Sequence, residues 1–362
     1  MVDGVPEPWR SAECRTSLAR FAVSTNTDHR TTIDDGAITA ETLLLRAEDE
    51  AIQPIEYAHE PDEDIAGDTE HVRLSEAFHR VLEDRTEGHR YLPPGLQGAA
   101  MDSIGTGLVS LDVDGHRADV ILDRPDKRNA MNEALLGDLR TALEEVEAAE
   151  DVHAMTLLGN GPVLSAGMDL EMMSGRADGE TELEHTLDDV THYIDDMSIP
   201  SVAGIKGAAI AGAFELVLPV DFRVIEADAT YGVKEVKLGI FPSGGATQRL
   251  PRMIGLSKAK ELVLTGEFID PEEAKQVGLV HEVVEDATDV DDRARDWADN
   301  LASNAPLGVQ RARGLLNSAL DMPLEEGLQL EGVLGRELVD SHDYEEGFTA
   351  ELEGREPEFE GR

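Results

Sequence analysis

Residues 207–218 read Gly207-Ala208-Ala209-Ile210-Ala211-Gly212-Ala213-Phe214-Glu215-Leu216-Val217-Leu218. A single carboxylate, Glu215, stands in a run that is otherwise small or apolar. Burying an ionised carboxylate without a partner is costly, and such a group responds by raising its pKa toward the range of a usable acid or base. The plainer reading, a surface glutamate on an amphipathic helix, fits poorly with nearly continuous apolar flanks. The glycines follow neither the dinucleotide-binding nor the P-loop spacing, so a nucleotide fold is unsupported.

Two stretches on either side share the same departure from pure packing. Upstream stands Ser165-Ala166-Gly167-Met168-Asp169-Leu170. Small residues there let a ligand approach the backbone, and a following helix start would offer free N–H groups. A tight strand-to-helix turn with Met168 in the core explains the same residues equally well. Downstream, Tyr231-Gly232-Val233-Lys234-Glu235-Val236-Lys237 runs into Leu238-Gly239-Ile240-Phe241-Pro242-Ser243-Gly244-Gly245. Taken alone, Glu235 between two lysines reads as an exposed ion-paired residue. Interest comes from the setting: a lysine-poor chain places a positive pair just before a Gly/Pro loop and Thr247-Gln248-Arg249-Leu250.

Around these stretches the pattern is that of an α/β protein. Residues 108–113 and 118–122 read as strands about the turn Asp114-Gly115. Asn132 can cap a helix whose Leu135, Leu139, Leu143 and Val146 recur at helical spacing. Further strands are expected at 154–158, 202–205 and 222–225, with a helix over 183–197. Asp270-Pro271-Glu272-Glu273 is a helix start and Gly278 its end. Beyond Thr288 the pattern is almost wholly helical. Residues 1–100 contain no lysine, include the acidic stretch 59–64 and close on Pro93-Pro94-Gly95. They read as a low-order extension with short helical pieces at 40–51 and 74–83. Met101 follows directly, and one expectation is that it is the biological start. The organisation expected is therefore an extension (1–100), an α/β core (101–300) and a helical C-terminal region (301–362).

Lys and Arg number 31 against 76 Asp and Glu, a formal net charge of −45. Such a field repels polyphosphate and anionic membranes, so neither nucleic acid nor a membrane surface is an expected partner. The excess is spread along the chain, not held in one tail, which predicts a surface adapted to concentrated salt, where screening removes self-repulsion. One cysteine, Cys14, excludes an internal disulfide framework, and the scattered histidines form no metal-binding motif. His281 reads as structural, and His185 with His192 as a solvated pair on one helix face. No apolar run reaches the ~18 residues of a membrane span, and no secretory signal is visible, so the expected location is cytoplasmic.

Together the stretches resemble the crotonase, or enoyl-CoA hydratase/isomerase, superfamily. The resemblance also rests on Leu122-Asp123-Arg124-Pro125, Asn129-Ala130-Met131-Asn132, Leu264-Thr265-Gly266, residues 274–280 and Pro357-Glu358-Phe359. It runs from Ile104 to the C-terminus, and residues 1–100 have no counterpart in it. It implies an α/β crotonase (ClpP/crotonase-like) fold of repeated ββα units, with a helical C-terminal trimerisation region giving homotrimers or dimers of trimers. The implied substrate is an acyl-coenzyme A thioester, with no cofactor or metal beyond it. By motif position, the backbone N–H groups of Met168 and Gly212 would form the oxyanion hole, each such donor worth about 3 kcal/mol of barrier. Ala166, Gly167, Asp169, Leu170 and Ser243 would bind substrate. Glu215 would activate water for attack at C3 and Glu235 would deliver a proton at C2, making the chain a hydro-lyase on 2-enoyl-CoA. Double-bond isomerisation, needing Glu235 alone, and a non-catalytic acyl-CoA-binding relative are the alternatives. Ala211 and Ala213 replace glycines common in the family, Lys234 replaces a frequent proline, and Ser243 a frequent glycine. Glu171 after the first motif, and an acidic tail, leave few basic residues for the coenzyme A phosphates.

Overall fold

The computed structural model describes residues 45–48, 51–54, 102–176 and 185–362. The chain divides into two compact units, Met1–His89 and Arg90–Arg362. In the first, strands β1 (Leu45–Glu48) and β2 (Ala51–Pro54) pair antiparallel, with Leu45 opposite Pro54 and Glu48 opposite Ala51. The helix expected over 40–51 is thus corrected at residues 45–48, which are extended. Pro54 cannot continue a helix, and strand pairing satisfies main-chain groups without a long apolar stripe. The helix expected over 74–83 lies outside the described residues.

The second unit contains β3 (Asp102–Ile104), β4 (Val109–Asp114), β5 (Arg117–Leu122), β6 (Ala154–Gly159), β7 (Ser201–Ile205), β8 (Ala208–Ile210), β9 (Phe222–Glu226), β10 (Thr230–Gly232) and β11 (Glu282–Val284). Seven form one sheet in the order β11-β9-β7-β6-β5-β4-β3. The β3-β4-β5 edge is antiparallel, and β5, β6, β7, β9 and β11 run parallel. Every residue of β6 and β7 is buried, as expected of central strands covered on both faces. Strands β8 and β10 pair parallel in a second small sheet, Tyr231 opposite Ala209. Isolated bridges extend it, joining Ser165 to Ala209 and Tyr231 to Ile269, and Met131 pairs with Met168. The expected strands are present, and β3, β8, β10 and β11 join them. Each is only three residues long, too short for an alternating pattern to register.

Helix α1 (Glu133–Glu147) starts where Asn132 accepts a hydrogen bond from the Leu135 N–H at 3.0 Å, and buries Leu135, Leu136, Leu139 and Leu143 in the main core. Next come α2 (Leu170–Arg176), α3 (Leu187–Asp196), α4 (Gly212–Leu216), α5 (Ala246–Ile254), α6 (Leu256–Thr265) and α7 (Pro271–Gln276). Helix α3 begins in a reciprocal capping box between Thr186 and Asp189. His185 therefore precedes the helix, and the expectation that it shares a helix face with His192 is corrected. Two β-β-α runs, β7-β8-α4 and β9-β10-α5, each send one strand to the large sheet and the next to the small one.

Helix α8 (Ala287–Ala302) lies on the other face, packing Val290, Ala294, Ala298 and Ala302 toward the sheet, where the alanines meet Ala154, Leu158, Val202 and Val224. Small side chains at helical spacing allow this close approach. The last helices, α9 (Pro306–Ser318), α10 (Leu324–Glu337) and α11 (His342–Glu353), bury little: Pro306 and Arg313, Leu334, and Asp343 and Ala350, respectively. Among the described residues, no helix is long and apolar enough to cross a membrane.

Candidate active site

The small sheet brings together the three stretches singled out in the sequence. Ser165-Ala166-Gly167-Met168 enters beside β8, α4 follows β8 directly, and Glu235 opens a 3-10 turn three residues after β10. Most amides of the first stretch are engaged within the chain. Ser165 N–H donates to Ala208 O, Ala166 N–H to Arg128 O, Gly167 N–H to Ser165 Oγ and Asp169 N–H to Met131 O. The Met168 N–H meets no acceptor among the described residues, because pairing with Met131 uses the groups on either side of it. Gly167 has a φ of +96°, and a Cβ there would stand 2.5 Å from Ile210 O, so only glycine allows the two segments to touch.

Gly212 opens α4, where no preceding helical carbonyl receives its N–H. A Cβ on Gly212 would lie 2.9 Å from Met168 Cγ, so the two open amides belong to adjacent residues in space. The turn between them is strained. Ala211 adopts φ +55° and ψ −121°, a conformation that L-residues rarely occupy, and is pinned by its N–H donating to Gly232 O at 2.9 Å.

Glu215, one turn further, is 3% exposed. Its Oε1 accepts from the N–H groups of Gly244 at 2.8 Å and Ala246 at 3.1 Å. Burial pushes its pKa up to about 7. The two amides oppose the rise, the nearby Glu235 carboxylate adds to it, and Arg249 also opposes it. Glu235 is 6% exposed, and burial raises its pKa as well, against its own amide and the Lys234 amide and charge. Its Oε2 accepts from the Lys234 N–H at 2.8 Å, while buried Oε1 has no hydrogen-bond partner. The two carboxylates are therefore unlike: one oxygen of Glu215 accepts from two amides, while Glu235 accepts from the Lys234 amide and keeps an oxygen unsatisfied. The reading of Glu235 as an exposed surface residue is corrected, because the 3-10 turn after β10 carries its side chain inward.

The other expected binding residues divide. Asp169 is buried; its Oδ2 accepts from Arg124 Nη1 at 2.6 Å and its Oδ1 caps α2 through the Glu171 N–H, so its carboxylate is already committed to holding the turn. Arg124 keeps that carboxyl below the usual range. Leu170 is 71% exposed, Ala166 is half-buried and Ser243 is exposed at the loop before Gly244. Three contributors carry no sequence signal of their own: the amides of Gly244 and Ala246, and Leu187. Leu187 Cδ2 would meet a Cβ on Gly212 at 3.1 Å and one on Gly244 at 2.8 Å, so it walls the space between them. His281 is structural, packed at a tilt against Phe222 and edge-on to Trp297 and accepting from the Arg223 N–H, and burial lowers its pKa to about 4.

A ββα scaffold with two open amides beside two buried glutamates defines a crotonase-type protein. The family model for enoyl-CoA hydratase/isomerase matches residues 117–362. The 2,3-dehydroadipyl-CoA hydratase of Escherichia coli is 35% identical over 245 residues, covering 67% of this chain and 94% of the relative. The (E)-benzylidenesuccinyl-CoA hydratase of Thauera aromatica is 35% identical over 263 residues, covering 70% and 99%. An enoyl-CoA hydratase crystal structure from Bacillus anthracis superposes with a TM-score of 0.67 at 31% identity, covering 70% of this chain and all of that one. The chain belongs to the enoyl-CoA hydratase/isomerase family.

Proposed function

We propose that the protein hydrates 2-enoyl-CoA thioesters to 3-hydroxyacyl-CoA. The observation that carries this reading is the asymmetry of the two buried carboxylates. Glu215, gripped by two amides, is suited to hold negative charge and act as base. Glu235, with one amide and an unsatisfied oxygen, is suited to hold a proton. Glu215 takes a proton from water as the oxygen bonds to C3. The π electrons move through C2 to the thioester oxygen, where the N–H groups of Met168 and Gly212 receive the enolate charge. Collapse of the enolate takes the Glu235 proton at C2. Water has then been added across the double bond, and return of one proton from Glu215 to Glu235 resets the pair, which titrates as a coupled unit. Gly167 brings the first amide within reach, and Ala166, Leu170 and Ser243 line the approach. The family names of the relatives, several of them hydratases, support the same reaction class.

Exposed Leu316, Leu320, Leu324 and Leu328 on α9, α10 and their connection support self-association through the C-terminal helices. Light scattering is expected to give a trimer or a dimer of trimers. A cytoplasmic location accords with this substrate.

Incubation with crotonyl-CoA in molar salt, following loss of the conjugated thioester absorbance, tests the activity. Glu215→Gln is expected to abolish hydration. Retention of hydration by that variant, or isomerisation of a 3-enoyl-CoA in place of hydration by the wild type, would overturn the reading.

A further inference from the structure

The amides that grip Glu215 are themselves held, and the hold leads away from the site. Gly244 N–H donates to Glu215 Oε1, while Gly244 O accepts from Arg249 Nη1 at 3.2 Å. Arg249 lies on the first turn of α5, its own N–H donating to Gly245 O at 2.9 Å. A Cβ on Gly245, whose φ is +110°, would stand 1.8 Å from Arg249 Nη1, so the guanidinium fills the space that a side chain would take. On its other edge, Asp195 Oδ2 accepts from Arg249 Nε at 3.2 Å and Nη2 at 2.5 Å. Asp195 is fixed in turn: its backbone oxygen accepts from Arg313 Nη1 and Asn317 Nδ2 of α9, each at 3.2 Å. Arg313 is 7% exposed and also donates to Ile194 O at 2.8 Å and to Asp221 at 2.9 Å.

We infer that Arg249 is a positioning residue for Glu215, clamping the Gly244–Ala246 amide cradle between the site and an Asp195 anchor tied to the C-terminal helices. Its hydrogen bonds go to Asp195 and Gly244, and it acts on Glu215 through the cradle and through its charge. Of the charged groups acting on the Glu215 carboxyl, Glu235 favours the protonated form and Arg249 the ionised one. The fork matters as well as the charge, because two donors reach Asp195 while a third reaches Gly244.

This inference rests on Glu215 serving as the base, so its test needs a readout independent of turnover. Carbon-13 NMR of glutamate-labelled protein, with the Glu215 signal assigned by its loss in Glu215→Gln, follows that carboxyl directly. In Arg249→Gln, Glu215 is expected to titrate at higher pH than in the wild type. The acid limb of kcat/KM should move up with it, and kcat should fall about 10- to 100-fold with KM little changed. Arg249→Lys keeps the charge and loses the fork, so the limb should stay near its wild-type position while kcat stays depressed. A folded Arg249→Gln whose Glu215 titration and acid limb both match the wild type would reduce Arg249 to a structural ion pair and overturn the inference. If Arg249→Gln fails to fold, Asp195→Asn takes its place: depressed kcat without an upward shift supports the clamp, and unchanged kcat overturns it. Failure of the wild type to hydrate crotonyl-CoA would defeat the proposed reaction, whereas the NMR comparison would still decide the clamp.

Discussion

At Glu215 two effects of opposite sign meet, and burial wins. Two amide donors and a guanidinium favour the anion, yet the carboxyl still titrates near 7. A base with that pKa is ionised above it and protonated below it. We therefore expect kcat/KM for crotonyl-CoA hydration to rise with pH through an acid limb near 7, absent from any residual activity of Glu215→Gln. A pH profile at constant salt checks this. Ala211 presents a second conflict at single-residue scale, since its φ of +55° is one that glycine adopts freely and alanine only under strain. Strain of that kind costs on the order of 1–3 kcal/mol, partly offset by the greater unfolded-state freedom of glycine. Ala211→Gly is accordingly expected to raise stability by about 1 kcal/mol in denaturant unfolding while hydration is retained. Both residues stood out in the sequence, Glu215 for its apolar flanks and Ala211 for replacing a glycine. The amides of Gly244 and Ala246 did not, because a backbone donor leaves no trace in residue identity.

Among elements, α8 shows how the large sheet is closed. Its alanines pack on β6, β7 and β9, and Arg295 reaches from it to Asp119 on β5. Asp119 is 2% exposed and accepts from Arg117 Nε at 2.9 Å, Thr156 Oγ1 at 2.7 Å and Arg295 Nε at 2.7 Å. Removing Asp119 takes from the buried Arg117 and the half-buried Arg295 their one buried counter-charge, leaving them the exposed carboxylates of Asp114, Asp299 and Asp292. Asp119→Ala is expected to cost about 2–3 kcal/mol in chemical unfolding, more than loss of a surface carboxylate. The longer elements were legible in the sequence, because α1 repeats its leucines at helical spacing and β6 is apolar but for Thr156. The three-residue strands β8 and β10 were not, although their pairing is what sets the glutamate stretches side by side.

For the whole molecule, a net charge of −45 sets the conditions under which these contacts hold. Repulsion among exposed carboxylates is screened over about 3 Å at 1 M salt but over about 30 Å at 0.01 M. Stability is expected to rise from dilute buffer to molar potassium chloride, followed by circular dichroism during thermal unfolding. Equal midpoints in both would reject a salt-adapted surface. The Asp119 cluster, being buried, should contribute about equally at either salt concentration. The exposed leucines of the C-terminal helices belong to this scale too, since a single chain leaves them without a partner face.

The sequence alone established the class of fold, the helical back half and the acidic character of the chain, and it singled out Glu215 and Glu235 as candidates. Each of these depends on residue type and local spacing, which a linear text carries. Only the tertiary structure decided that Glu235 turns inward, that Asp169 is spent on Arg124, that the Gly244 and Ala246 amides meet Glu215, and that Arg249 reaches Gly244 O. Those outcomes depend on which backbone groups meet across the small sheet and the α5 loop, and such long-range meetings of main-chain donors and acceptors have no sequence code.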